Sequence, residues 1–398
     1  MKLIKIRIGK AWNVLRRDGL WRGGKRVLEA LSNLFRRVRP GDVLFITNGV
    51  GDSARYRTNH VAEELAHCGF QTAITVQDNP FILSYADKFS IFVFHRVLFS
   101  GNVAVLIERL KKAGKEIIFD TDDLVYAPEF LRHMDYYRQM NLFEKQLYVN
   151  GLGGEIVSDV YVKVCTTTTK FLADKLREKG KQVFVVRNKI SKADVQNAEE
   201  ILSGQITSKK RQITEGAQKV RVVYLSGTPS HNKDFATISP VLAFLMQKYP
   251  QMCLVLAGPL DIDDRLATFT NRIERVPFLS RKKYFENIAR MDINLAPLEI
   301  GNPFCESKSE LKWFEAGLVA VPTVAAATEN FSAAITDGVD GYVAKTEVEW
   351  KEKIEKLIID HNLRTQIGAK ARETVLQKYS TQSSFNTEYC EYLRSKIL

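Results

Sequence analysis

The residues best suited to chemistry lie in 302–326, NPFCESKSELKWFEAGLVAVPTVAA, which reads as loop, helix, tight turn and buried strand. The spacing i, i+4, i+7 puts Lys308, Lys312 and Glu315 on one predicted helix face. Two lysines in the opening turns of a helix oppose its dipole and repel each other. A docked polyanion would offset both effects. Glu315 stands two turns further along, about 10 Å at 1.5 Å per residue. That is the span from a diphosphate to the ribose hydroxyls of a nucleotide, and a carboxylate is a suitable partner for a ribose diol. The alternative is that Glu306 and Glu310 neutralise the lysines and Glu315 faces solvent.

A second candidate lies upstream. The apolar strand RVVYLS, 221–226, runs into Gly227-Thr228-Pro229-Ser230-His231-Asn232-Lys233 and then an amphipathic helix predicted over about 234–249. A Gly-containing loop between a strand and a helix N-terminus offers backbone N–H groups to a phosphate, and Lys233 adds a full charge. Asp120-Thr121-Asp122-Asp123 follows the strand EIIF. An Asp-x-Asp in that position can hold Mg²⁺ or Mn²⁺, or its residues can form turns and helix caps. Arg55 and Arg57 follow the first strand and could meet an acceptor phosphate or form surface ion pairs. His95 closes the strand IFVF, placed to line a cleft.

Segments 226–235, 291–299 and 308–326 resemble the donor-binding domain of family 4, or group 1, glycosyltransferases of GT-B fold, of the kind found in bacterial surface-polysaccharide clusters. The family pattern has Glu-x7-Glu spanning a Gly-Phe-Gly loop. Here Glu315 matches the second glutamate, Ser307 stands at the first, and Lys308-Ser309 replace Gly-Phe. Gly227-Thr228 stand at the family's Gly-Arg, and Lys233 matches its lysine. The resemblance implies a hexosyl- or deoxyhexosyl-type transferase that moves a sugar from a nucleotide sugar to a glycan or lipid-linked acceptor. It also implies retention of anomeric configuration and no metal or other cofactor. Lys233 and Lys308 are then the expected catalytic charges. Gly227, Thr228, Lys312, Glu315, Ser309 and Phe278 form the donor-binding set, and Arg55, Arg57, His95, Asp122 and Asp123 the acceptor side. One rival is a metal-dependent GT-A enzyme using Asp120 and Asp122. The other is a non-catalytic nucleotide-sugar-binding scaffold of an envelope assembly, for which Ser307 is the best support.

The elements that must position these residues follow from the alternation of strand and helix patterns, which implies parallel sheets. Strands are expected at 42–48, 71–76, 89–94, 116–120, 161–165 and 182–186, then near 221–226, 252–257, 273–278, 292–297, 321–326 and 341–344. The fold class is α/β: two Rossmann-like, doubly wound domains facing a cleft, with a basic helical N-terminal arm. The expected divisions are 1–40 for the arm, 41–190 for the acceptor-binding domain and 191–219 for a polar linker. Residues 220–380 form the donor-binding domain, and 381–398 a helix returning to the first domain.

Of the net charge of +12, the first 40 residues carry twelve Lys or Arg against Asp18 and Glu29. The charge therefore belongs to the arm. Val27, Leu28, Leu31, Leu34 and Phe35 recur there at helical spacing, flanked by Trp12 and Trp21. This pattern suits an anionic membrane surface, or an apolar stripe docked on the protein's own body; no nucleic-acid module accompanies it. No apolar run reaches the ~18 residues of a membrane span. Cys68, Cys165, Cys253, Cys305 and Cys390 show no Cys-x-x-Cys pair, which argues against zinc and a disulfide framework and suits a reducing cytoplasm. The expected location is cytoplasmic, peripheral on the inner face of the membrane.

Overall fold

Short β-branched and aromatic runs become strands buried on both faces. Every residue of β1 (Val43–Thr47) and β3 (Ile91–His95) is buried. Such continuous apolar runs are what a parallel sheet covered by helices requires. The structure, a computed structural model, describes residues 24, 28, 31, 32, 34–49, 51–99, 101–134, 137, 140, 145, 148–209, 219–226, 232–258, 260–277 and 280–397.

Two compact units contain these residues. The first comprises the described residues through Leu131, those of Gln139–Val186 and those of Phe385–Leu398; the second comprises Arg132–Arg138 and Arg187–Ser384. The first holds a parallel sheet in the order β2-β1-β3-β4-β5-β6, with β2 at Thr72–Val76, β4 at Glu116–Thr121, β5 at Val164–Thr167 and β6 at Gln182–Val185. The second holds the order β12-β11-β10-β7-β8-β9. Its strands are β7 (Val220–Leu225), β8 (Met252–Ala257), β9 (Ile273–Val276), β10 (Ile293–Ala296), β11 (Thr323–Ala326) and β12 (Tyr342–Ala344). All pairings are parallel. Each unit is Rossmann-like and doubly wound. The winding reverses between β1 and β3 in the first sheet and between β7 and β10 in the second. Ligands of such sheets bind outside the carboxyl ends of the strands at that reversal.

Three local readings change. Residues 191–219 were expected to be a linker, but Lys192–Lys209 form a helix of the second unit. Ser191 Oγ accepts the Asp194 N–H at 3.2 Å, an N-cap contact. Asp194 binds Arg281, and Glu200 binds Lys282 at 2.8 Å. A helix docked by ion pairs and the buried Ala198 carries no apolar stripe, so its periodicity is faint. The helix expected over 234–249 is two, Asn232–Ala236 and Ser239–Lys248, and Pro240 opens the second.

The third change concerns cysteine. Cys68 and Cys390 form a disulfide with Cα atoms 6.4 Å apart. A separation of 322 residues gives no local spacing to read. The C-terminal helix Thr387–Arg394 brings the pair together in the first unit. There Asn386 donates its N–H to Glu64 and its side-chain amide to the Val185 carbonyl, at 2.7 and 3.0 Å.

Most of the N-terminal arm, with Trp12 and Trp21, lies outside the described residues. Of its apolar positions, Leu28, Leu31 and Phe35 are exposed. Where the arm ends, Asn79 donates to the Arg36 carbonyl at 2.8 Å and Arg37 stacks on Phe81. No helix among the described residues is long and apolar enough to cross a membrane.

Candidate functional site

In the second unit the candidate residues gather beyond the carboxyl ends of β7 and β10. Lys308 and Ser309 are not helical. They sit between the short helix Pro303–Glu306 and the helix Leu311–Leu318. Lys308 therefore approaches Lys312 from a connection, and the i, i+4 relation expected of them does not form. Asn330 fixes that connection by donating to the carbonyls of Glu306 and Lys308 at 2.8 and 2.9 Å. Ser309 Oγ accepts from Asn188 at 3.1 Å. Ser307 is fully buried and donates to the Phe304 carbonyl at 2.7 Å.

Lys312 opens the helix Leu311–Leu318. Asn294, on β10, donates to its carbonyl at 3.0 Å and to Thr323 Oγ1 on β11 at 3.0 Å. The helix start is thereby pinned beside the reversal in winding. The Lys312 Nζ lies 4.3 Å from the centre of the Tyr224 ring, near the end of β7. That nitrogen is buried and has no hydrogen-bond partner among the described residues. Burial pulls it down to about 8; neighbouring Asp234 opposes the shift and Lys308 adds to it. A cation in that setting is costly unless an anion joins it.

Glu315 is buried and strongly engaged. Its carboxylate accepts from Arg281 and, at 2.7 Å, from the Tyr284 hydroxyl. Arg281 also forks onto Asp194 at 3.1 and 3.0 Å. Asp194, Arg281 and Tyr284 were not foreseen. Their partners lie 31 to 87 residues away, so no short motif marks them. Lys233 is exposed on the helix Asn232–Ala236. Next to it the buried Asp234 accepts from the Glu299 N–H and the Cys305 thiol, both at 3.2 Å. Burial and the Asp234 carboxylate push that thiol far up, so it stays protonated as a donor. Gly227, Thr228 and Phe278 lie outside the described residues.

The first unit has its own polar cluster at the β1/β3 reversal. His95, Asp120 and Thr166 are in-register neighbours on β3, β4 and β5. Parallel register turns their side chains to one face. His95 Nδ1 lies 2.7 Å from Asp120 Oδ1, and Thr166 donates to Asp120 Oδ2 at 2.6 Å. Arg57 was a candidate for an acceptor phosphate or a surface ion pair. It turns inward instead, fully buried, and forks onto both Asp120 oxygens at 3.1 and 2.5 Å. Burial alone would raise the Asp120 carboxyl; Arg57 and His95 outweigh it and hold it below its ordinary value.

Ser53, which sequence reasoning passed over, links the strands. Its Oγ lies 2.8 Å from His95 Nε2 and 2.9 Å from Asp122 Oδ2. Asp122 also accepts from Arg96 Nε at 2.6 Å, and Arg96 outweighs burial to hold that carboxyl well below its ordinary range. Arg96 has φ 49°, a left-handed conformation kept only where surroundings enforce it. Asp123 caps the turn Leu124–Tyr126 by accepting the Leu124 N–H at 2.8 Å. Arg55 pairs at the surface with Asp52. Protein donors engage both Asp120 and Asp122 carboxylates. The GT-A fold, with its one nucleotide-binding domain, does not account for two Rossmann-like sheets.

Residues 240–387 match the family described as Glycosyl transferase-like. No curated protein matches the chain by sequence. Among solved structures, Anabaena Alr3699/HepE in complex with UDP and glucose has a TM-score of 0.59 at 13% identity, over 89% of this chain and 100% of that one. Sucrose-phosphate synthase (tll1590) from Thermosynechococcus elongatus has a TM-score of 0.56 at 12% identity, over 89% and 98%. A glycosyltransferase from Rickettsia africae has a TM-score of 0.58 at 14% identity, over 90% and 99%. These likenesses establish the GT-B fold and agree with the resemblance to group 1 glycosyltransferases.

Proposed function

We propose that this chain of GT-B fold is a glycosyltransferase. In this reading it moves a sugar from a nucleoside-diphosphate sugar to a glycan or lipid-linked acceptor, with retention of configuration, in polysaccharide synthesis. The observation that carries the reading is the buried Lys312 Nζ, without a hydrogen-bond partner among the described residues, beside Lys308 and Tyr224 at the reversal between β7 and β10. A nucleotide diphosphate supplies the charge and acceptor oxygens that this nitrogen lacks. The glycosyl transferase-like match over 240–387 supports the same class, and the HepE structure holds UDP.

Breaking the sugar–phosphate bond leaves negative charge on the departing diphosphate. Lys233 and Lys308, with Lys312 in support, favour that charge as it develops. They supply what a divalent cation would otherwise supply, so turnover should survive EDTA. Glu315 anchors the ribose with the acceptor capacity left to its carboxylate. Arg281 and Tyr284 hold that carboxylate still, which fixes the leaving group's position. Ser309, just before the helix Leu311–Leu318, is held by Asn188. In the first unit His95, Asp122 and Asp123 are proposed to serve the acceptor.

The test is donor turnover, with UDP-glucose as first probe among nucleotide sugars. Lys308→Ala and Lys233→Ala should each lower the rate constant by on the order of 10²–10³, the effect of removing one transition-state charge contact. Folding should be intact by circular dichroism. Normal turnover by both variants would refute the assignment. A wild-type protein that binds nucleotide sugar but turns none over would favour the scaffold reading.

A further inference from the structure

We propose that Lys312 couples nucleotide binding to proton uptake: a nucleoside diphosphate reaching the β7/β10 reversal draws a proton from solvent onto the Lys312 Nζ. The inference rests on the donor-site reading above and adds a proton to the binding reaction.

The geometry sets a choice between two states. The nitrogen is enclosed, meets the face of the Tyr224 ring at 4.3 Å, and has no hydrogen-bond acceptor among the described residues. The charged and titratable groups around it come from every element packed against it. Asp234 lies on the helix after β7, Cys305 on the helix Pro303–Glu306, Lys308 on the connection, and Glu315 on the helix of Lys312 itself. Asp234 accepts from the Glu299 N–H and the Cys305 thiol, and Glu315 from Arg281 and Tyr284. Neither carboxylate makes a hydrogen bond to the Lys312 nitrogen. Lys308 adds repulsion.

The neutral amine is therefore unusually accessible in the unliganded protein, consistent with the downward pull to about 8. A diphosphate reverses the balance. Its oxygens accept hydrogen bonds and its charge favours an ammonium. The amine nitrogen gains one proton, and solvent or buffer loses one. Linkage makes the effect reciprocal: protonation strengthens binding and alkaline pH weakens it. Lys233 is exposed and Lys308 sits on the connection, so the coupling is assigned to Lys312, whose nitrogen is enclosed.

Calorimetry of UDP binding to the full chain, in two buffers of different ionisation enthalpy, reads the proton directly. At about pH 8.5 the terminal phosphate of UDP is already ionised, its second pKa being about 6, and the uracil imide is still mostly protonated, so nearly all of any uptake belongs to the protein. The expected uptake is the larger part of a proton there and little at pH 7, with Kd rising on the order of tenfold by about pH 9.5. Lys312→Arg should bind UDP without buffer-dependent heat. Lys312→Met should bind more weakly and also lose the buffer dependence. UDP binding with equal heats in both buffers would overturn the inference while leaving the donor site standing. Persistence of uptake in Lys312→Met would overturn it as well. Absence of UDP binding at every pH would overturn the donor-site reading and this inference with it.

Discussion

Replacing Lys312 by Met should make the unliganded protein more stable. The folded-state pKa of about 8, against the ordinary 10.5, means that the fold disfavours the charged form. At 1.36 kcal/mol per unit this difference is roughly 3 kcal/mol. That figure already nets the attraction of Asp234 and Glu315 against burial and the repulsion of Lys308. Methionine keeps an unbranched stem against Tyr224 and removes the charge. For a lysine with a lowered folded pKa, the cost is fully present below about pH 8. It fades as pH rises toward the unfolded value near 10.4. Lys312→Met should thus exceed wild type by about 2–3 kcal/mol at pH 7 and by much less at pH 10. Urea unfolding of the second unit, followed near Trp313 and Trp350, measures both. A variant less stable than wild type at pH 7, or a gap unchanged at pH 10, would refute the reasoning. Adding UDP should reverse the order, because ligand stabilises only the protein that binds it well.

Three further outcomes follow from other parts of the structure. Asp120→Asn leaves buried Arg57 uncompensated and should cost about 3–5 kcal/mol in the first unit; in wild type, Asp120's lowered pKa gives stability that is present above about pH 3.9 and lost as pH falls through the folded value, which acid melts will show. Ala320 has φ 58°, a conformation costing L-residues roughly 1–2 kcal/mol, so Ala320→Gly should raise stability by about 0.5–1 kcal/mol after glycine's entropy cost, and a lower melting temperature would contradict this. The full chain should sediment with anionic vesicles, and less with neutral ones or at high salt, at about 1 kcal/mol per cation near the surface; equal binding by a chain beginning at Arg39 would remove the arm from that role.

The sheets were legible because their signal is local. Runs such as VLFIT and IFVFH are apolar up to their closing Thr47 and His95, and turn residues bound them, so most strand limits fall within one or two residues. Lys312 and Glu315 were legible for the same reason, since one short helix carries both. Lys308 was placed on that helix wrongly, because nothing local marks the break before Leu311. What surrounds the site depends on separation. Arg281 reaches Glu315 across 34 residues and Asp194 across 87, and Arg57 reaches Asp120 across 63. Ion pairs of that kind leave no periodicity. Arg57 was misread for that reason, since a buried arginine and a phosphate-binding one look alike until the partner is found.

The bond between Cys68 and Cys390 has a mechanical consequence. It closes a loop of 322 residues, and the whole of Arg187–Ser384 lies inside that loop. Tension applied to the two chain ends runs from the N-terminal segment to Cys68, through the sulfur–sulfur bond, and out at Cys390. The second unit is off the load path and bears no force while the bond is intact. Reduction would transfer the full pull to it. In a single-molecule stretching experiment, the contour length released under oxidising conditions would then come only from residues outside the loop. A reductant would add the hidden length of the second unit.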